Sequence, residues 1–148
     1  MKNNEIPVFN GLVLVCDDNN MNLMLICEHL RQVGVKVTVA INGIEAVDMV
    51  RKRLHDSAGN TTGSEEKSTN KQFELIFMDI HMPVMNGIEA SAIITQMDCN
   101  IPIVALTTDE RFIDLQEYKE AGIVDYLGKP FQAKELWRCL EKHLKQEN

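Results

Sequence analysis

Carboxylates, a hydroxyl and an amine follow four short apolar runs of this sequence. Asp17 and Asp18 come directly after one run, Asp79 follows another, and Thr107 and Lys129 follow two more. Together these side chains supply a carboxylate nucleophile, oxygen ligands for a hard divalent cation, a hydrogen-bond donor and a positive charge. Such groups stabilise the charge on a phosphoryl group in transfer. The residue types therefore indicate phosphoryl transfer to a carboxylate, and Asp79 is central among the four run ends.

The three aspartates need a cation if the fold brings them together. Two carboxylates about 4 Å apart repel each other by on the order of 4 kcal/mol at an effective dielectric constant near 20. That is a large part of the stability of a small domain. Because Mg²⁺ binds carboxylates while keeping several waters, it suits such a cluster. The sequence predicts a Mg²⁺ site at Asp17, Asp18 and Asp79, with Mn²⁺ as an alternative ion.

Short apolar runs and amphipathic helical patterns alternate along the chain. Five strands, each followed by a helix, predict an α/β fold with a parallel sheet and right-handed crossovers. The predicted strands lie at about residues 12–15, 35–39, 75–78, 103–106 and 123–127. The predicted helices lie at about 23–33, 44–54, 87–97, 110–121 and 136–144.

The position of the polar residues favours one strand order. In an open parallel sheet, ligands bind beyond the carboxyl ends of the strands, where the strand order reverses. The second strand ends in Ala40-Ile41-Asn42, which offers no sharp chemistry. The flavodoxin-like order 2-1-3-4-5 places that strand at the edge and makes the four reactive strand ends neighbours. We therefore predict a doubly wound, five-stranded parallel sheet.

One stretch interrupts the alternation of strands and helices. Residues 55–72 are rich in Ser, Thr, Gly, Asn and charge without periodicity, and we interpret them as a flexible surface insertion. A chain of 148 residues suits one core. We expect an N-terminal extension at 1–10, a single domain at 11–145 and a tail at 146–148.

Composition and charge limit the partners and the compartment. The formal net charge of −7 disfavours direct binding to nucleic acid or to an anionic membrane. No apolar run approaches the roughly 18 residues that span a bilayer, and the N-terminus is too polar for a signal peptide. Four cysteines without a CxxC pair fit a reducing environment. We expect a cytoplasmic location.

Three segments, with Thr107 between the second and the third, carry a resemblance to a known family. CDDNNMN, FMDIHMPVMNG and DYLGKPF resemble the response-regulator receiver domains of two-component signalling, most closely those of hybrid sensor histidine kinases. Each motif alone is weak, but their order at the predicted strand ends is specific. The similarity covers residues 11–144 apart from the insertion.

The resemblance implies roles for the reactive residues. Asp79 is the phospho-acceptor, and Lys129 pairs with Asp79 or with its phosphoryl group. Thr107 moves to hydrogen-bond the phosphate, and Tyr126 follows it inward. The implied Mg²⁺ ligands are Asp17, Asp18, Asp79 and the backbone carbonyl of His81. The peptide bond before Pro130 is expected to be cis.

The resemblance also implies partners and a limited activity. The phosphoryl donor is a phosphohistidine of a histidine kinase or of a histidine phosphotransfer protein. A second copy of the chain is a further candidate partner, through the face of the fourth helix, fifth strand and fifth helix. The chemistry is restricted to self-catalysed transfer and autodephosphorylation. The domain could belong to a kinase polypeptide, on the cytoplasmic side of a membrane.

Some positions depart from the common pattern, and some alternatives have to be weighed. Thr108 stands where Ala or Gly is usual, His81 lies where a residue tunes phosphate lifetime, and Asp109 adds a negative charge. A haloacid-dehalogenase-like phosphatase needs an aspartate where His81 stands. A flavodoxin-like cofactor binder needs a phosphate loop where Asp17 and Asp18 stand. A degenerate receiver that acts as a phosphorylation-independent interaction module stays open as the alternative function.

Overall fold

The computed structural model of the chain describes residues 8–57, 72–98, 100–108, 114–129 and 131–144. Most of the predicted insertion, the N-terminal and C-terminal segments, Asp109 and the peptide bond to Pro130 lie outside the described residues. The expectations about their conformation stay predictions.

Strands and helices alternate through the described residues, as the sequence predicted. The strands are β1 (Leu12–Cys16), β2 (Lys36–Ala40), β3 (Leu75–Asp79), β4 (Ile103–Thr107) and β5 (Ile123–Gly128). The helices are α1 (Asn20–Gln32), α2 (Gly43–Ser57), α3 (Gly87–Met97), α4 (Leu115–Glu120) and α5 (Ala133–His143). All strand pairs are parallel, in the order β2-β1-β3-β4-β5. The predicted fold class and strand order are confirmed.

Two apolar cores lie on opposite faces of the sheet. Helices α1 and α5 cover one face, where Val15, Phe77 and Leu106 point toward them. Helices α2, α3 and α4 cover the other, where Met78 and Ala105 point. Every residue of β3 and β4 is buried, as expected for central strands that have helices on both sides. We call these the α1–α5 face and the α2–α4 face.

Two predicted boundaries were wrong. Helix α2 continues to Ser57, so residues 55–57 belong to it rather than to the insertion. Helix α4 begins at Leu115 rather than near residue 110. Asp114 has an extended backbone, and its side chain accepts hydrogen bonds from the backbone N–H groups of Gln116 and Glu117. An aspartate that satisfies the first free N–H groups of a helix marks its start.

Candidate functional site

Three carboxylates meet at the carboxyl edge of the sheet. Asp79 ends β3, and Asp17 and Asp18 follow β1, which pairs with β3. One carboxylate oxygen of each aspartate lies within 4.8 Å of the others. Asp17 and Asp79 are buried, at 0% and 4% exposure, whereas Asp18 is exposed. The cluster therefore has a buried floor and one side open to solvent.

Lys129 is the cation of this cluster. Its Nζ atom lies 3.1 Å from Oδ2 of Asp17 and 3.3 Å from Oδ1 of Asp79, and the lysine side chain is 13% exposed. The Lys129 backbone N–H donates to the carbonyl of Thr107 at 2.7 Å, which holds the end of β5 against β4. The lysine thus contacts both buried carboxylates rather than Asp79 alone.

Backbone donors complete the hydrogen bonds of the two buried carboxylates. The N–H of Asn19 donates to Oδ1 of Asp17 at 2.9 Å, and the N–H of His81 donates to Oδ1 of Asp79 at 3.2 Å. Such bonds are needed, because a buried carboxylate without partners costs several kcal/mol. They leave Asp17 bonded through both oxygens, whereas the contacts of Lys129 and His81 with Asp79 are both to Oδ1.

The electrostatics of the cluster favour a cation. Burial, and next the negative charge of Asp17, raise the pKa of Asp79 to about 7, although Lys129 opposes the rise. One lysine cannot balance three carboxylates, so the cluster keeps a net negative charge. Oxygen donors with one side open to water fit Mg²⁺. Burial, and next the negative charge of Asp79, raise the pKa of the nearby Cys16 thiol far above its ordinary value, so the thiol adds no charge to the cluster.

The loop after β3 positions the backbone around Asp79. Gly87, the first residue of α3, packs so closely on the Asp79 carbonyl that a Cβ atom would overlap it. The Asn86 side chain caps α3, and Glu89 completes the capping box. Val84 has a φ of 71°, rare for a β-branched residue, and lies inside a turn closed by the Met85 N–H on the Pro83 carbonyl at 2.7 Å. The loop is therefore a strained turn joined to a fixed helix start.

His81 and Thr108 lie at the rim of the site. The His81 side chain and Thr108 are both exposed. The described contacts of His81 include its backbone N–H but not its carbonyl, so the carbonyl as a metal ligand stays a prediction. The steric effect of Thr108 on access to Asp79 is likewise a prediction.

Thr107 lies next to the site but on the opposite face of the sheet. Side chains alternate along a strand, so Thr107 follows Ala105 onto the α2–α4 face, whereas Asp79 follows Phe77 onto the α1–α5 face. Thr107 is buried at 3% exposure, and Tyr126 is 38% exposed. The predicted movement of both residues would therefore start from a buried hydroxyl and a half-exposed ring.

One residue near the site had no signal in the sequence. Tyr118 lies on α4 and is 6% exposed. The apolar pattern of α4 is weak, so the sequence did not show which of its side chains is buried. Only the packing of α4 on the sheet places the Tyr118 ring in the core of the α2–α4 face.

The fold and the acidic site define a family, and comparison with known proteins shows the same one. The family model of the response regulator receiver domain matches residues 13–141. The chain therefore belongs to the response-regulator receiver family, as its motifs predicted.

The relatives include hybrid histidine kinases and response regulators. Hybrid signal transduction histidine kinase I of Dictyostelium discoideum is 32% identical over 136 residues, which cover 89% of this chain and 7% of the kinase. Two-component response regulator 24 of Arabidopsis thaliana is 33% identical over 129 residues, which cover 87% of this chain and 81% of the relative. The predicted likeness to hybrid-kinase receivers is confirmed, and the chain spans only a small part of the kinase.

Solved structures share the fold, and one of them holds magnesium. The receiver domain of the sensor histidine kinase PA1611 from Pseudomonas aeruginosa, solved with a magnesium ion in its active-site cleft, has 30% identity and a TM-score of 0.70, over 90% of this chain and 97% of that one. The Saccharomyces cerevisiae Ssk1 receiver, crystallised with the phosphotransfer protein Ypd1, has 26% identity and a TM-score of 0.72, over 94% and 90%. Receiver domains bind Mg²⁺ at this acidic pocket, so the predicted cofactor is confirmed.

Within the described residues, no helix is long and apolar enough to cross a membrane.

Proposed function

We propose that this chain is a phosphorelay receiver that accepts a phosphoryl group from a phosphohistidine onto Asp79 and changes conformation to pass on the signal. One observation carries the proposal: a buried aspartate at a strand end contacts a lysine whose side chain is only 13% exposed, and lies within a cluster of three carboxylates. A phosphoryl acceptor needs a nucleophile and a fixed positive charge, and Asp79 and Lys129 supply them.

The proposed reaction uses the oxygen of Asp79 that Lys129 does not contact. Lys129 and the His81 N–H both approach Oδ1, so we assign the attack on phosphorus to Oδ2. The new O–P bond forms as the P–N bond of the donor breaks, and the electron pair of that bond stays on the imidazole nitrogen. Asp17, Asp18 and Asp79 would hold Mg²⁺, which supplies neutralisation of the phosphoryl oxygens. Lys129 then keeps its ammonium group beside the phosphorylated carboxylate.

Phosphorylation from a small-molecule donor tests the acceptor. Wild-type protein incubated with acetyl phosphate and Mg²⁺ is expected to gain the mass of one phosphoryl group, and the Asp79→Asn variant is expected to gain none. Asp48→Asn, an exposed aspartate on α2 paired with Arg51, is the matched control and should label like wild type. Full labelling of Asp79→Asn would overturn the assignment. A wild-type protein that does not label would favour the phosphorylation-independent interaction module.

The exposed surface of α1 next to the site is a candidate docking surface for the phosphoryl donor. A donor histidine must approach Asp79 from the open side, next to the start of α1. There α1 exposes three apolar side chains: Met21 at 78%, Met24 at 70% and Leu25 at 45%. Exposed apolar side chains grouped beside a reactive site indicate a protein contact. We propose that a histidine phosphotransfer protein, the kind of partner seen with the Ssk1 receiver, docks on this patch.

Two phosphoryl donors separate docking from chemistry. The double variant Met21→Glu/Met24→Glu should accept a phosphoryl group from acetyl phosphate at the wild-type rate but from phosphorylated Ypd1 at least about tenfold more slowly. Leu115→Glu, which changes a 63% exposed leucine on α4, is the control and should leave transfer from Ypd1 unchanged. Equal slowing with both donors would show damage to the site and count against docking on α1.

We propose that the signal leaves the domain through the surface of α4 and β5, at the β5 edge of the sheet. Around α4 and β5, Leu115, Val124 and Tyr126 expose 63%, 55% and 38% of their side chains. We propose that phosphorylation changes this face and favours its pairing with a second copy. Sedimentation velocity with and without beryllofluoride, a phosphoryl analogue, is expected to show self-association only with the analogue and Mg²⁺. A monomer under both conditions would remove this part of the proposal. Location on the cytoplasmic side of a membrane and autodephosphorylation stay predictions.

A further inference from the structure

Two exposed methionines lie side by side on α1, next to the acidic site. Met21 is 78% exposed and Met24 is 70% exposed, and residues three apart on a helix are neighbours on its surface. The other described methionines are buried or half-buried: Met49, Met78, Met82, Met85 and Met97. Burial is the usual state of methionine, because its unbranched apolar side chain fills gaps in cores. The two thioethers on α1 therefore form an apolar surface that an oxidant in solution can reach.

The cysteines in the described part of the chain do not compete for such an oxidant. Cys16, Cys27 and Cys139 are all buried. Burial raises the pKa of each of these thiols, so they stay protonated. Because the thiolate is the reactive form of cysteine, a buried and protonated thiol reacts slowly with peroxides. Among the described residues, Met21 and Met24 are therefore the sulfur-containing side chains most open to oxidation.

Oxidation by hydrogen peroxide would change the character of the α1 surface. A sulfur lone pair forms an S–O bond as the O–O bond of the peroxide breaks, and the second oxygen takes up the remaining proton and leaves as water. The sulfur is oxidised and the peroxide is reduced. The resulting sulfoxide is polar, so burying it in an apolar contact costs its hydration. Met24 also lines a groove on α1 with Glu28, Arg31 and Gln32, so its oxidation would change that groove as well.

We propose that Met21 and Met24 form an oxidation site that controls docking of the phosphoryl donor: hydrogen peroxide converts both thioethers to sulfoxides and weakens the contact of α1 with the histidine phosphotransfer protein. The reaction at Asp79 is unchanged, because neither side chain belongs to the acidic cluster. Methionine sulfoxide reductases reverse the modification, so the control is reversible. The inference rests on the proposed function, because it needs this surface of α1 as the docking site.

The order in which the methionines are oxidised tests the site itself. The full chain is treated with dilute hydrogen peroxide, and the sulfoxide at each methionine is measured by peptide mass spectrometry. Met21 and Met24 should be oxidised at least about tenfold faster than Met78, which is fully buried. Oxidation of Met21 and Met24 that is no faster than oxidation of Met78 would overturn the proposal.

Transfer from two donors shows whether oxidation acts on docking or on chemistry. Peroxide-treated protein should accept a phosphoryl group from phosphorylated Ypd1 at least about tenfold more slowly than untreated protein, but from acetyl phosphate at the same rate. Methionine sulfoxide reductases with a dithiol reductant should restore transfer from Ypd1. Equal slowing with both donors, or no slowing with either, would contradict the proposal.

A variant that stays apolar but resists oxidation links the effect to these two side chains. In Met21→Leu/Met24→Leu, the rates of transfer from Ypd1 before and after peroxide should differ by less than about twofold. Met97→Leu removes a half-buried methionine of α3, on the opposite face of the sheet, and should keep the sensitivity of wild type. The leucine double variant keeps all four cysteines, including Cys99 outside the described residues. A peroxide effect that persists in it would assign the sensitivity to another residue and overturn the proposal.

Failure of the inference and failure of the proposed function give different results. If untreated wild type is labelled by acetyl phosphate but not by phosphorylated Ypd1, the proposed docking is wrong and the inference falls with it. If wild type accepts a phosphoryl group from both donors, and still does so at the same rates with Met21 and Met24 fully oxidised, the inference is overturned and the proposed function stays intact.

Discussion

The two faces of the sheet end in different chemistry at the same edge. On the α1–α5 face, the buried carboxylates of Asp17 and Asp79 contact the partly buried ammonium group of Lys129. On the α2–α4 face, Thr107 and Tyr118 are buried and carry hydroxyl groups without charge. The sheet therefore separates the charged groups of the proposed reaction from the groups that would sense it.

The position of Thr107 at the end of β4 is consistent with its predicted movement. It is the last residue of β4 and pairs with Gly128 at the end of the β4–β5 register. A side chain in the middle of a buried strand is held by neighbours on every side, whereas one at a strand end borders a loop. Substitutions at the acidic cluster should therefore change phosphorylation and stabilisation by Mg²⁺, whereas substitutions elsewhere should change stability alone.

The largest effect is expected from removing the charge of Lys129. Lys129→Met deletes the ammonium group that contacts Asp17 and Asp79, so labelling by acetyl phosphate should slow about 100-fold or more. The initial rate of phosphorylation, measured by intact mass at saturating Mg²⁺, gives the comparison. Lys142→Met removes a 66% exposed lysine from the same α1–α5 side and should label at the wild-type rate. If Lys129→Met is labelled at a rate within about twofold of wild type, this lysine does not contribute to the reaction.

Two glycine variants compare a position that touches the acidic cluster with one that does not. Gly122, which follows α4, has a φ of 88°. A Cβ atom added there would overlap the side chain of Thr95 on α3. Gly122→Ala should lower the free energy of unfolding by about 3 kcal/mol, because strain and overpacking add. Gly87→Ala should cost a similar amount, because its Cβ would overlap the Asp79 carbonyl. Urea unfolding measures both.

The response to Mg²⁺ then separates these two glycine variants. Stabilisation by Mg²⁺ should be retained in Gly122→Ala and reduced in Gly87→Ala, because only Gly87 contacts an aspartate of the cluster. Equal stabilisation of both variants by Mg²⁺ would contradict a role of Gly87 in positioning the cluster.

Removal of Mg²⁺ should make the stability depend on pH through Asp79. Its pKa is raised from 3.8 to about 7, first by burial and next by Asp17. The metal-free folded state therefore binds a proton more readily than the unfolded state, and its stability should fall as pH rises through about 7. Because Mg²⁺ binds the deprotonated form, it should add on the order of 1 kcal/mol more at about pH 8 than at about pH 5.5.

Thermal melts with and without millimolar Mg²⁺ check this expectation. In Asp79→Asn, the carboxylate that titrates is gone, and the difference between the two pH values should disappear. A difference that persists in Asp79→Asn would assign the pH dependence to another group.

The smallest effect is expected at an ion pair away from the site. Oδ2 of Asp125 lies 2.9 Å from Nε2 of His143 and 3.5 Å from Nζ of Lys142. Burial raises the pKa of Asp125, but the hydrogen bonds from His143 and from the Tyr126 N–H outweigh it and hold the pKa below 3.8. The stabilisation is therefore present above that value and lost as pH falls below it.

Asp125→Asn measures the contribution of this ion pair. The variant should lose about 1 kcal/mol at neutral pH and clearly less at about pH 3, while Mg²⁺ stabilises it as fully as wild type. Asp48→Asn, at an exposed pair on α2, should lose almost nothing at either pH. A cost for Asp125→Asn that is the same at both pH values would show that packing, and not the charge, is lost.

The features predicted from sequence are those with a local signal. The buried strands were visible as apolar runs, such as residues 75–78 before Asp79, and the half-covered edge strand as an alternation. The start of α4 was missed because Asp114 could have continued a helix as well as capped one. The pair of Asp125 with His143, 18 residues later, had no local signal because it depends on how α5 packs beside β5.

The sequence by itself determined the strands, their order and the types of group at their ends. These features depend on the periodicity of apolar residues and on which strands end in reactive side chains, and both can be read from neighbouring residues. Only the tertiary structure decided that Lys129 contacts Asp17 as well as Asp79, that burial raises the pKa of Asp79, and that Thr107 is buried on the opposite face of the sheet from Asp79. Distances, burial and the face that each side chain occupies arise when distant segments pack together. Those quantities set the charge of the site and the starting position of its switch.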